Sequence, residues 1–367
     1  MSDLKKYLTK DRQKQRNLSD ILYYIVERGE ATRREIEHDT GFSWGAVSES
    51  VGELLARGYL VEEEHSAGRV GRSSAILKPN GTSVVAVGLD VNRTELTARL
   101  VGFDLSKKWR RTLPFTADTQ DALMQAVEAL CDEAVAACPA DARIISIGVA
   151  MQGKVDAESG VSYRFPGIPA WEPFDVRAWL SERYALPVSV DHDPKCLLFA
   201  KTVRENIRDG LLLRLDRGIG LSVVIDGKIL SDFGRMELGH TISVPNGELC
   251  ACGRRGCLEA YASIRGIERR TGRAFSDLIA QGDPSAFDEA CAHLATALSN
   301  VAALFAPERI ILTGKLAESD LFYNRFVTHF AATPYGETAI PERDTGISAA
   351  YGAAVRSIRD VIKSGGI

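Results

Sequence analysis

Apolar positions in the first eighty residues recur at helical spacing in separate blocks. Leu18, Ile21, Leu22, Ile25 and Val26 share one face of a helix expected over 12–28 and ending at Gly29. Thr32 and Glu35 have capping-box spacing, the hydroxyl accepting from an early amide while the carboxylate reaches back, and predict a short second helix through His38. Gly41 permits a tight turn and Ser43 is a good N-cap. Val47, Val51, Leu54 and Leu55 then give a third helix its buried face, up to Gly58. Two β-prone runs, 59–62 and 75–78, flank a loop rich in glycine and arginine. Helix, helix, turn, helix and hairpin is the order of a winged helix-turn-helix, here 1–78, followed by a Pro-Asn-Gly-Thr break that makes 79–83 a linker.

From Val84 onward strands and helices alternate. The runs VVAVGLDV, ELTARLVGFD, IISIGVA, LLLRL, LSVVIDGKIL and RIILTG read as strands, with helices over 122–137, 286–305 and 349–362. The expected class is α/β.

Composition narrows the function. A chain of 367 residues folds as about two or three domains. No apolar run approaches the roughly 20 residues of a membrane helix, and the polar start MSDLKKYLTKDRQKQR lacks a signal-peptide core, so a cytoplasmic protein without membrane contact is expected. Net charge is −4, so any claim of nucleic-acid binding must rest on local features. In the helix-turn-helix those are Ser43, Trp44, Gly45 and Ser48 at the start of the third helix, where base edges of duplex DNA are read, and Arg69 and Arg72 in the wing, suited to a narrow minor groove. The competing reading is a three-helix protein-interaction module with Trp44 as a core or surface aromatic, and two wing arginines that are merely solvated.

Seven cysteines, an odd number, argue against a disulfide framework. Four are scattered on apolar segments, whereas Cys250, Cys252 and Cys257 crowd one glycine-rich loop. With His240 they offer three thiolates and an imidazole, the ligand set of a tetrahedral structural Zn2+ with no open position for a reactive water. Idle reduced thiols are the alternative.

The pattern Glu237-Leu-Gly-His240, followed by Cys-x-Cys-Gly-x-x-Gly-Cys-x-Glu259, resembles the ROK family of repressors, open reading frames and sugar kinases. The resemblance extends over nearly the whole chain. It implies a winged helix-turn-helix followed by a two-lobed, actin-like (ribonuclease H-like, sugar-kinase-like) domain, the first lobe being 84–193 plus 349–367 and the second, with the zinc site, 194–348. It also implies that Glu237, His240 and Glu259 meet sugar hydroxyls, His240 giving one ring nitrogen to zinc and the other to the ligand. Asp193 matches the family's general base; it could equally cap the helix that starts near Pro194.

Several departures matter. The family's phosphate loop, Asp-x-Gly-Gly-Thr, reads Asp90-Val-Asn92-Arg93-Thr94, with both glycines gone and side chains in the space a phosphate requires. Two later glycine segments are reduced to 216–222 and Thr313-Gly314-Lys315. The family's asparagine before the aspartate is His192. Its Pro-Asn sugar segment becomes Phe165-Pro166-Gly167, leaving Gly167 as the ligand-facing position without an amide side chain.

The expectation is therefore a sugar-responsive repressor, a homodimer or tetramer on double-stranded operator DNA, released by a monosaccharide or sugar derivative. No catalytic residue and no ATP use are expected. A ligand-blind DNA-binding regulator and an active sugar kinase are the alternatives.

Overall fold

A computed structural model describes residues 2–63, 75–230, 236–337 and 339–367, with side chains from residue 11 onward; the wing arginines Arg69 and Arg72 lie outside the described residues. The chain forms two compact units, Met1–His192 with Ala349–Ile367, and Asp193–Ser348.

The first unit opens with α1 (Ser2–Arg28), β1 (Ala31–Thr32), α2 (Arg33–Thr40), α3 (Trp44–Ala56), β2 (Leu60–Glu63) and β3 (Ile76–Pro79). The capping box forms: the Glu35 amide donates to the Thr32 hydroxyl at 3.3 Å and the Thr32 amide to the Glu35 carboxylate at 2.7 Å. Ser43 caps α3 by accepting from Ala46 N. Ile21, Leu22, Ile25, Ile36, Val47, Val51 and Leu54 make the buried core of this module. Several limits differ from the sequence expectation, α2 running on to Thr40 among them. Helix α1 begins at Ser2, nearly three turns before 12, both hairpin strands lie one residue further on, and β1 has no counterpart in the expectation. That last difference has a simple cause. A residue at an N-cap is extended, and Thr32, held so by its own cap, pairs with Ile76 of β3.

The same unit continues with β4 (Val84–Val91), β5 (Glu95–Gly102), β6 (Lys107–Pro114), α4 (Gln120–Ala136), β7 (Arg143–Met151), β8 (Lys154–Asp156), β9 (Val161–Arg164), β10 (Phe174–Asp175), α5 (Val176–Tyr184) and β11 (Val188–His192). Its main sheet has the order β11-β7-β4-β5-β6, parallel across the first three strands. Val85, Val87 and Leu89 bury one face with Leu123, Val127 and Leu130 of α4. The C-terminal helix Ala349–Lys363 covers the other face. It comes so close that a Cβ on Gly88 or Gly148 would collide with the carbonyls of Ala350 and Ala353, which explains its run of small residues.

The winged module is tied to this lobe by side chains. Gln15 donates to the Gly365 carbonyl at 2.9 Å, and Arg359 pairs with Glu27 at 2.6 Å. Arg143 lies 4.4 Å above the Tyr59 ring and donates to the Arg57 carbonyl. The 79–83 segment is itself a turn, in which the Asn80 side chain accepts from the amides of Thr82 and Ser83.

The second unit contains α6 (Asp193–Glu205), β12 (Gly210–Leu215), β13 (Ile219–Ile225), β14 (Lys228–Ile229), α7 (Glu259–Ala262), α8 (Ile264–Thr271), α9 (Phe275–Gln281), α10 (Asp288–Phe305), β15 (Arg309–Thr313), α11 (Lys315–Glu318), α12 (Asp320–Ala331) and β16 (Glu342–Arg343). The sheet order is β14-β13-β12-β15-β16. Its core is apolar throughout, with Phe287, Phe322, Phe326 and Phe330 in a contiguous aromatic row. Helix α10 starts at 288 rather than 286 because Pro284, lacking an amide hydrogen, opens a preceding 3-10 turn. No helix among the described residues is long and apolar enough to cross a membrane.

Candidate DNA-reading face, phosphate turn and metal loop

At the start of α3, Ser43, Trp44 and Gly45 are exposed and Ser48 is half-buried, while Val47 and Val51 point into the core. Trp44 is therefore a surface residue, 49% accessible, and not a core aromatic. Gly45 faces open space, so nothing in this chain's described packing demands a glycine there. Three acids of this module are engaged internally: Glu62 with Arg33 at 2.5 Å, Glu63 with Lys78 at 2.6 Å, and Glu49 with Lys14 at 3.3 Å. Those pairings reduce the repulsion that a polyanion would meet.

The β4–β5 turn is closed on itself. Asn92 Oδ1 accepts from the amides of Thr94 and Glu95, both at 3.0 Å, and from the Thr94 hydroxyl at 3.3 Å. The Arg93 amide donates to Gln152 Oε1 at 2.9 Å. Three consecutive amides that could cradle a phosphate are thus consumed by side chains. The Arg93 guanidinium lies directly against Gly167, whose missing Cβ leaves it room. Gly167 and His192 both belong to the first unit.

Asp193, Glu237, His240 and Glu259 belong to the second. Glu237 and His240 flank a 3-10 turn, Leu238–His240, closed by the His240 amide on the Glu237 carbonyl at 2.9 Å. Three residues per turn puts both side chains on one side. Glu259, first residue of α7, accepts from Ile219 N at 3.2 Å. It sits so near Gly218 and Gly239 that side chains on either would press on its carboxylate. Asp193 is buried at the first position of α6, and its carboxylate pairs with Arg214 of β12 at 2.5 Å.

Arg214 and Gln152 escaped the sequence reading. Arg214 left a signal: an arginine inside the apolar run 211–215 of a strand must find a partner. Gln152 left none, since an ordinary polar residue after a strand marks nothing.

The metal loop is built by close turns. Gly253 N donates to Cys250 O, Cys250 N to Arg254 O, and Gly256 N to Glu248 O. Gly256 has φ of 81° and approaches Val244 O so closely that only glycine fits. The result brings His240 Nδ1 to 3.7 Å from Cys250 Sγ and Cys252 Sγ to 3.7 Å from Cys257 Sγ, with all four ligand atoms within 4.8 Å of one another. A tetrahedral ion with Zn–S near 2.3 Å and Zn–N near 2.0 Å separates neighbouring ligand atoms by about 3.5–3.8 Å. The donor set and spacing therefore fit a zinc-sized ion. Burial pushes the Cys250 thiol up to about 12, so a cation is what would make it a thiolate at neutral pH. With Nδ1 on the thiol side, Nε2 is the ring atom on the opposite side.

Comparison with known proteins gives a consistent picture. The ROK family model matches residues 86–354. The chain is 27% identical over 338 residues to the DNA-binding transcriptional dual regulator NagC of Escherichia coli K12, covering 84% of this chain and 82% of that one. It is 33% identical over 190 residues to the N-acetylmannosamine kinase of Citrobacter koseri, covering 49% and 62%. Among solved structures, a ROK family transcriptional regulator described as a homologue of the E. coli MLC protein superposes with a TM-score of 0.80 at 20% identity, over 96% of this chain and 97% of that one. The ROK hexokinase of Thermus thermophilus gives 0.64 at 25% identity, over 76% and 99%.

Proposed function

Because the chain belongs to the ROK family, its domain preceded here by a winged helix-turn-helix, we propose that it is a sugar-responsive DNA-binding transcriptional regulator, a repressor released by a carbohydrate inducer. The observation that carries this reading is the pairing of a filled phosphate turn with an intact sugar-side loop. Thr94 and Glu95 spend their amides on Asn92, and Arg93 spends its own on Gln152. Phosphoryl transfer depends on backbone donors and cations positioned around the phosphates, so this turn speaks against ATP use. Glu237, His240 and Glu259 keep the acceptors and the fixed imidazole that vicinal hydroxyls need.

His240, Cys250, Cys252 and Cys257 would hold a structural Zn2+, which supplies charge to the thiolates and fixes the imidazole. This chain's own residues do the rest: Glu259 orients against Ile219 N, and the Glu237–His240 turn presents both side chains together. Gly167 and His192 on the first unit, and Asp193 on the second with its charge already balanced by Arg214, are the other ligand-facing candidates. Ser43, Trp44, Gly45 and Ser48, with the wing arginines Arg69 and Arg72, would read an operator. A homodimer would match a two-half-site duplex.

Operator titration with and without a panel of sugars and sugar phosphates tests this. We expect salt-dependent operator binding that one carbohydrate weakens by about 5- to 150-fold. Trp44→Ala and Ser48→Ala should each cost about 1–3 kcal/mol of operator affinity. Steady ATP consumption with any hexose would overturn the reading. The Arg214–Asp193 pair favours a second reading, a regulator blind to sugars, because it occupies a carboxylate that a sugar would otherwise use; operator binding indifferent to the whole panel would select it.

A further inference from the structure

Arg99 of β5 is 9% exposed, and its Nε has no hydrogen-bond partner. Among the described residues no carboxylate lies within ion-pairing distance of it. Directly across the strand pair stands another arginine, Arg110 of β6. Like charges opposite one another on adjacent strands destabilise a sheet, and a buried guanidinium without a counter-charge is costlier still. Burial first, and the Arg110 charge second, lower the affinity of Arg99 for its own proton.

The surroundings do not relieve this. Thr97 and Thr112, the next pair along the same face, share a hydroxyl hydrogen bond at 3.0 Å, and Arg110 Nε donates to the Thr112 hydroxyl. Tyr351, from the C-terminal helix, is a further neighbour of Arg99, and Lys107 stands 5.4 Å from its ring. Every charged group here is a cation. The neighbouring acids that might compensate are turned elsewhere, since Asp104 accepts from Ser106. Arg111 alternates to the opposite face, where it pairs with Glu133.

We propose that the Arg99–Arg110 pair, with the Thr97 and Thr112 hydroxyls, is a binding site for a small phosphate-type oxyanion, distinct from the sugar-side loop and the DNA-reading face. A tetrahedral oxyanion accepts from two guanidinium forks and two hydroxyls at once, and its charge cancels the repulsion between the arginines. Arg99 decides the size of the ligand. A duplex backbone cannot reach a side chain nine-tenths buried, whereas an ion of a few ångströms can enter when the exposed Arg110 side chain swings aside. The ligand is free phosphate or the phosphoryl group of a small metabolite.

The test uses the full-length, zinc-loaded protein and inorganic phosphate against chloride at matched ionic strength, read by thermal unfolding and calorimetry. Phosphate at a hundred times its dissociation constant should raise Tm by several degrees. Arg99→Met should abolish the rise while unfolding at an equal or higher Tm in chloride, because it removes an uncompensated buried charge. The exposed Arg110→Met variant should weaken phosphate binding at least tenfold. Equal stabilisation by phosphate and chloride, or an undiminished phosphate response in both variants, overturns the proposal. So does a result in which phosphate is inert but Arg99→Met weakens duplex binding and flattens its salt dependence, which would assign the patch to DNA.

Discussion

Two turns that resemble ligand-facing segments of a kinase have gone opposite ways. The β4–β5 turn has drawn its donors inward, so that Asn92 and Gln152 satisfy three amides. The Glu237–Glu259 segment sets the Glu259 carboxylate against two glycines, its own Gly239 and Gly218 of the β12–β13 turn, and winds a cysteine loop behind His240. A closed turn gains local stability and loses its guest. An open one stays competent only if something else holds it rigid, and an ion held by His240, Cys250, Cys252 and Cys257 would do so here.

The largest perturbation should come from that support. Cys257→Ser, or removal of metal by a chelator, should lower the apparent stability of the second unit by on the order of 5 kcal/mol. Metal analysis should show one equivalent of zinc before and none after, with any sugar response gone. If the variant keeps both, the loop does not depend on a metal and the contrast between the turns fails.

Next comes Arg214→Ala, which removes the guanidinium paired with the buried Asp193 carboxylate and should cost about 3–5 kcal/mol in urea unfolding. Arg214→Met combined with Asp193→Leu should recover most of that loss.

An acid titration sharpens the picture of the second unit. Burial pushes Glu205 up, but hydrogen bonds from Lys201, Arg204 and Arg309 outweigh it and leave the carboxyl at about 2. Asp344 is likewise held below the usual carboxylate range, burial being outweighed by Lys201 and Arg204. Depressed folded values mean that this stability is fully present above the ordinary carboxylate range and is lost as pH falls toward 2. The urea midpoint should therefore decline between about pH 4.5 and 2, and less so in Glu205→Gln.

The smallest effect tests the closed turn. Asn92→Ala should cost about 1–3 kcal/mol of first-unit stability. Restoring glycines at 92 and 93 together should not produce sugar phosphorylation, because Arg214 still neutralises Asp193.

Much of this was legible beforehand, for identifiable reasons. Thr32 and Glu35 announce a cap through spacing alone, and three cysteines among glycines announce a metal loop. The loss of two glycines at 92 and 93 announced side chains in the turn, but not that its amides would be taken up, because the partner Gln152 lies about sixty residues away in sequence and touches the turn only once β4 and β7 pair. The same holds for Arg214, whose role exists only after α6 packs on β12 and β13. Short β1 was invisible because two residues carry no period.

The C-terminal helix carries one more consequence. Residues 349–363 cover the glycine face of a sheet begun at Val84, yet the whole second unit is encoded between them. A chain emerging from the ribosome can therefore finish the second unit before the first, and the sheet beneath the DNA-reading module waits bare until translation is nearly done. Termination between Ser348 and Ala349 would release a product whose second unit, with its cysteine loop, is whole and whose reading head has lost its footing.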